Sequence, residues 1–149
     1  MIDKIDHIGI AVRSIEASLP LYRDILGLGD IGIEEVPGQG VRVAMIRLGE
    51  VKIELLEALG PGSPIAKFIE RRGEGLHHIA LSTGDIRSAI ARLKAAGLVL
   101  VNETPTPRAL EYEVAFIHPS STGRVLIELC QPCRGRASRA ADPGRAAKP

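Results

Sequence analysis

Apolar and polar positions alternate from Ile5 to Val12, with Ile8, Ile10 and Val12 on one face and His7, Gly9 and Ala11 on the other. A period of two predicts a strand. The period then lengthens. Ile15, Leu19, Tyr22, Ile25 and Leu26 form a helical stripe behind Ser14, whose hydroxyl suits an N-cap. Pro20 lies inside that stripe and lacks a backbone donor, so it should kink or split the helix, which Gly27 and Gly29 end. Strand-like runs follow at 31–36, 41–48 and 51–57, parted by Pro37-Gly38-Gln39-Gly40 and by Gly49-Glu50. A linker helix is predicted over 63–73, with Ser63 as N-cap, Pro64 in the first turn, Ile65, Phe68 and Ile69 buried, and Gly73 as the stop.

The pattern then restarts. Residues 76–82 read as a strand, and Asp85 caps a helix carrying Ile86, Ala89, Ile90 and Leu93, stopped by Gly97. Strands are predicted near 98–101, 114–118 and 124–129. Each half therefore reads β-α-β-β-β, an α+β pattern, and the halves match in their residues too. Ile5-Asp6-His7-Ile8-Gly9 corresponds to Leu76-His77-His78-Ile79-Ala80, and Val51-Lys52-Ile53-Glu54-Leu55 to Val125-Leu126-Ile127-Glu128-Leu129. Glu54 follows His7 by 47 positions and Glu128 follows His78 by 50. Such a duplication predicts one domain over 1–131 made of tandem modules at about 3–59 and 75–131. From 132 to 149 the chain is Arg, Ala, Gly and Pro without periodicity and reads as a disordered basic tail.

Composition narrows the function classes. With no Trp, two Tyr and two Phe, the core must be aliphatic, and stacking on single-stranded nucleic acid is disfavoured. The net charge of +1 conceals five basic residues in the tail against Asp142, which leaves residues 1–131 about three units acidic. An acidic body gives no electrostatic case for a nucleic-acid partner. No apolar run approaches the roughly 18 residues of a membrane span, and the first residues lead straight into a strand pattern rather than a signal peptide. The expectation is a cytoplasmic protein with no membrane partner. Cys130 and Cys133 make a lone Cys-x-x-Cys, weak support for zinc or redox chemistry.

Strand parity sets Glu54 opposite Ile53 and Leu55, and Glu128 opposite Ile127 and Leu129. A carboxylate inside an apolar strand is costly unless something pairs with it. Any one of His7, Glu54, His78 and Glu128 alone would read as a half-exposed strand residue with a hydrogen-bond partner. A symmetric set of two imidazoles and two carboxylates reads instead as the shell of one divalent metal, with Co²⁺, Ni²⁺, Zn²⁺ or Mn²⁺ all compatible with nitrogen and oxygen donors. His77, next to His78, should face away and be packed or solvated. His118, before Pro119 at a strand end, reads as a local hydrogen-bonding residue.

The paired modules resemble the vicinal oxygen chelate superfamily, in which two modules close a cupped mixed sheet around one metal. Within it, Ser63-Pro64-Ile65-Ala66-Lys67-Phe68 and Gly73-Glu74-Gly75-Leu76-His77-His78-Ile79-Ala80 resemble the methylmalonyl-CoA epimerase family. Gln39-Gly40-Val41, Phe116-Ile117-His118-Pro119 and Leu126-Ile127-Glu128-Leu129 do so too. The resemblance covers 2–131. It implies an isomerase that interconverts the (2R) and (2S) forms of methylmalonyl-CoA by C2 proton abstraction and an enolate. It also implies a divalent metal, Co²⁺ first, an acyl-CoA substrate and a homodimer. His7, His78 and Glu128 match the family's metal ligands, and Glu54 stands at the fourth position. Val43 replaces a Glu that serves some members as a base, so Glu54 and Glu128 become the expected acid–base pair, or a metal-bound water acts beside them. Arg108-Ala109-Leu110-Glu111-Tyr112 replaces a Gly-rich loop, and Arg108 is read as a surface residue ahead of a partner for a substrate carboxylate. A glyoxalase-like isomerase of the lactoylglutathione lyase type and a metal-free small-molecule binder of the same fold are the alternatives. An extradiol dioxygenase is disfavoured, because its ligands come from one module.

Overall fold

The computed structural model describes residues 1–108 and 112–133. Its elements follow the duplication. The first module holds β1 (Ile2–Ala11), α1 (Ile15–Pro20), β2 (Ile31–Val36), β3 (Val41–Leu48) and β4 (Val51–Ala58). After the linker helix α2 (Pro64–Arg72) come β5 (Gly75–Thr83), α3 (Ile86–Ala95), β6 (Thr106–Arg108), β7 (Tyr112–Ile117) and β8 (Leu126–Pro132). One curled mixed sheet runs β2-β3-β4-β1-β5-β8-β7-β6. β1 lies parallel to β4 and β5 parallel to β8, while β1 and β5 pair antiparallel at the centre. The modules thus close edge to edge within one chain, and the four strands carrying His7, Glu54, His78 and Glu128 are the four central ones.

Packing on the two faces sets where those side chains point. Leu55 is buried under α1 with Ile15 and Leu19, and Leu129 is buried under α3 with Ile86, Ala89 and Ile90. Glu54 and Glu128, one residue earlier, must therefore project from the opposite, concave face. There α2 closes one end, its Ile65 and Ile69 packing on Ala11, Val41, Val43 and Leu56. Ser63 caps α2 by accepting from Ile65 N at 3.2 Å, and Asp85 caps α3 by accepting from Ser88 N at 3.0 Å. Each cap is worth about 1 kcal/mol. Pro20 ends α1, and the chain continues as a π-helical turn over Leu21–Ile25.

One element departs from the sequence reading. The strand expected at 98–101 reduces to an isolated bridge between Leu100 and Ile117. Asn102 takes over the ladder beyond it: its Oδ1 accepts from Phe116 N at 2.8 Å and its Nδ2 donates to Val114 O at 3.3 Å. The chain then returns as β6, a three-residue edge strand on β7, where Pro107 can sit because an edge tolerates a missing donor. β8 runs through Pro132, the first residue of the tail expected over 132–149, and the rest of that tail from 134 onward lies outside the described residues, as do Ala109, Leu110 and Glu111.

Candidate metal centre

Four donor atoms from four strands meet on the concave face. His7 Nε2 lies 3.0 Å from His78 Nε2 and 3.5 Å from Glu54 Oε2. His78 Nε2 lies 3.4 Å from Glu54 Oε2 and 3.3 Å from Glu128 Oε2. Glu128 Oε2 is 4.0 Å from His7 Nε2. All four residues are at most 3% exposed. His7, Glu54 and His78 form the tightest group, with ligand atoms within 4.8 Å of one another.

Two bulges at the central β1·β5 seam aim the imidazoles. Ile5 pairs with Leu81 and His7 with Ala80, so Asp6 is an extra residue on β1. Gly9 pairs with His78 and Ile10 with Leu76, so His77 is an extra residue on β5. A bulged residue escapes strict alternation. Asp6 thereby reaches the His7 ring, its Oδ2 2.9 Å from Nδ1, and His77 Nδ1 comes within 2.9 Å of His78 Nδ1. The expectation that His77 faces away from His78 is corrected here, because alternation fails at a bulge. The ring also packs on Phe68, with centroids 4.9 Å apart.

Glycine has a specific task in this seam. Opposite His78, a Cβ on Gly9 would lie 2.3 Å from the ring's Cε1, so the imidazole fills the space a side chain would need.

The Asp6 contact sets the His7 tautomer. A carboxylate at Nδ1 makes that nitrogen of His7 the donor and leaves its Nε2 lone pair facing inward. The Nδ1 contact lets His78 do the same toward His77. Lys52 Nζ, 2.9 Å from Asp6 Oδ2, completes the support. Burial raises the Asp6 pKa, but hydrogen bonds from His7 and Lys52 outweigh it and bring the carboxyl down to about 2. Burial, with the charges of His7, His77 and Arg108, lowers His78 to about 2, and burial lowers His77 to about 4. The His78 imidazole is thereby neutral near pH 7, the state a metal ligand requires. Burial pushes the Glu128 carboxyl up, against the pull of Arg108 and His7.

The donor set fits a divalent cation. Two inward Nε2 lone pairs 3.0 Å apart repel unless a cation lies between them, and Glu54 Oε2 is buried with no hydrogen-bond partner. An unpaired buried carboxylate oxygen costs several kcal/mol.

Sequence reasoning placed Arg108 on the surface. Instead its side chain is only 14% exposed and sits over the two carboxylates. Nη1 is 3.0 and 3.3 Å from the Glu128 oxygens and 3.2 Å from His7 Nε2, and Nη2 bonds Glu54 Oε1. Two buried acids attract the cation more strongly than solvent does. Burial disfavours its charge, but Glu54 and Glu128 more than offset that and raise its pKa. Each carboxylate consequently turns Oε2 toward the imidazole nitrogens and Oε1 toward the guanidinium.

Asp6, Gly9 and Arg108 were not singled out from the sequence as site residues. The acid beside His7 and the loop departure beginning at Arg108 were the available signals. Val43 is 2% exposed within the apolar cluster under α2. His118 is local as expected, its Nδ1 2.8 Å from Ser120 Oγ. Cys130 is a packed core thiol donating to Leu81 O at 3.6 Å, and burial pushes its pKa to about 12. That is the opposite of a reactive thiolate.

Two cavities flank the centre. One of about 690 Å³ extends from His78, Arg108 and Glu128 toward Ser63 and Val101. Another, of about 670 Å³, lies beside His7, Lys52, Glu54 and Tyr112.

Comparison with known proteins agrees with this fold. Residues 6–116 match the model of the glyoxalase/bleomycin resistance protein/dioxygenase superfamily. An ethylmalonyl-CoA/methylmalonyl-CoA epimerase from Cereibacter sphaeroides is 42% identical over 133 residues, covering 88% of this chain and 99% of its own. The crystal structure of methylmalonyl-CoA epimerase from Mycobacterium tuberculosis superposes with a TM-score of 0.82 at 34% identity, covering 89% of each chain. A methylmalonyl-CoA epimerase in complex with methylmalonyl-CoA and NH4+ gives 0.83 at 31% identity, covering 90% of this chain and 97% of that one.

Proposed function

The chain belongs to the glyoxalase/bleomycin resistance protein/dioxygenase superfamily, and from that premise we propose that it is a metal-dependent methylmalonyl-CoA epimerase. The observation that carries the metal is the unpartnered Glu54 Oε2 facing two imidazole nitrogens whose other ring atoms are committed elsewhere. His7, Glu54, His78 and Glu128 hold one divalent ion, Co²⁺ first. A bound ion supplies Lewis acidity that lowers the cost of negative charge building on the thioester oxygen.

The chain's own groups do the rest. Glu54 and Glu128 reach the centre from strands on either side of the central β1·β5 pair, as removal and return of a proton on opposite faces of one carbon requires. Their Oε1 atoms face away from the imidazoles and are the proton-carrying positions. Arg108, which covers those atoms here, moves onto the free carboxylate of the substrate and so uncovers both bases. The apolar walls of the larger cavity, Val101, Val114 and Phe116 among them, exclude water from the carbanion-like centre. A homodimer fits the exposed apolar residues Leu21 and Ile25 on the π-helical turn and Leu26 just after it. Among the described residues, no helix is long and apolar enough to cross a membrane.

The test is exchange of the C2 proton of methylmalonyl-CoA in D₂O. Metal-loaded protein should exchange it and interconvert the epimers, and chelator-stripped protein should not. Glu54→Gln should slow exchange by about 10²–10⁴-fold, the usual worth of a general base, while still binding metal. Exchange unchanged by the substitution would remove Glu54 from the chemistry. Activity on ethylmalonyl-CoA instead would reassign the acyl group.

A further inference from the structure

Among the described residues, Arg108 is the one basic side chain in contact with the carboxylates of the metal centre. Its Nη1 lies within hydrogen-bond distance of both Glu128 oxygens and of His7 Nε2, and its Nη2 bonds Glu54 Oε1. His7, Glu54 and Glu128 therefore all hold one guanidinium. The His7 contact is the most informative. Asp6 keeps the ring proton on Nδ1, so the Nε2 lone pair that Arg108 takes is the pair a metal needs. One lone pair serves one partner at a time. Charge points the same way. Two carboxylates balance a divalent ion, and a guanidinium left on the same oxygens would repel that ion at close range in a buried site.

The fold lets this cation leave. Arg108 ends β6, a three-residue edge strand that pairs with β7 alone and carries Pro107, which gives no N–H to the ladder. Arg108 and Glu128 are the residues common to the walls of the cavities of about 690 and 670 Å³. The guanidinium thus stands between the two, with open space on either side.

Resting on the metal-centre reading above, we propose that Arg108 is a built-in competitor for the metal: guanidinium and divalent ion exclude each other from His7, Glu54 and Glu128. The internal cation holds the acids together until the ion displaces it. An anionic ligand that draws the guanidinium away then tightens the ion, and the ion tightens that ligand by the same factor. A thioester with a free carboxylate, such as malonyl-CoA, is a ligand of that kind.

Competition between the protein and a chelator for Co²⁺ tests this. Arg108→Gln should bind Co²⁺ more tightly than the unmodified protein, by about tenfold or more. The same change should lower the melting temperature of chelator-stripped protein by about 5 °C or more, because two buried carboxylates lose their partner. The Co²⁺-loaded variant should melt no lower than the loaded unmodified protein. Arg108→Lys keeps a charge but not the fork that spans both acids, so it should fall between on both measures. It also carries the test if the Gln variant does not fold without metal. Malonyl-CoA should tighten Co²⁺ more than acetyl-CoA, which lacks the free carboxylate, and Arg108→Gln should remove most of that difference. Co²⁺ affinity unchanged in both variants would overturn the competition and leave the metal centre standing. A malonyl-CoA effect of full size in the Gln variant would overturn the linkage. Failure of the unmodified protein and both variants alike to bind Co²⁺ would remove the metal-centre reading, and this proposal with it.

Discussion

At the residue scale, the centre depends as much on what is missing from a position as on what occupies it. Gly9 has no side chain, and the His78 ring lies where one would go. Gly9→Ala should push the imidazole off the shared focus. A misplacement of about 1 Å can cost on the order of 100-fold in rate, so C2 exchange per bound metal should fall by that order. Circular dichroism should show the sheet retained. An unchanged rate would mean that the ring has room to move. The cluster of His7, Glu54, His78 and Glu128 was legible because a charged or polar residue recurs at matching places in two apolar strands. Gly9 was not, since a glycine on a strand face carries no sign of what lies across from it. Arg108 was hidden for a related reason: its burial depends on two acids that are distant in sequence, Glu54 by 54 positions and Glu128 by 20.

At the scale of elements, periodicity and caps located β1, β2, β3, β4, β5, β7, β8 and the three α-helices, and Pro20 split the first helix as its chemistry requires. Register was the part the sequence could not supply. The bulges at Asp6 and His77 arise only when β1 meets β5, and they turn each preceding residue toward its histidine. The edge strand β6 likewise depends on how Asn102 substitutes for the ladder. The bulge at Asp6 has a measurable consequence. Asp6→Asn keeps the size but weakens the acceptor that holds the His7 tautomer. Metal affinity, read by competition with a chelator, should drop by roughly 10–100-fold, the usual effect of losing such a partner. Retained affinity would show that Lys52 and the strand alone orient the ring.

At the scale of the whole molecule, duplication explains why a catalytic centre sits where it does. Each module offers one imidazole and one carboxylate from neighbouring parallel strands, and the antiparallel β1·β5 seam brings the two pairs face to face. Neither module holds the full shell by itself. The helices α1 and α3 back the sheet on one side, which leaves the concave side for substrate, closed at one end by α2. The most direct test of this arrangement is a titration of Co²⁺ into chelator-stripped protein, followed by the visible absorption of the bound ion. One equivalent per chain should saturate the spectrum, and both His7→Ala and Glu128→Ala, one substitution in each module, should abolish or alter it. Saturation at two equivalents, or a spectrum indifferent to either substitution, would contradict a single centre shared by the two halves.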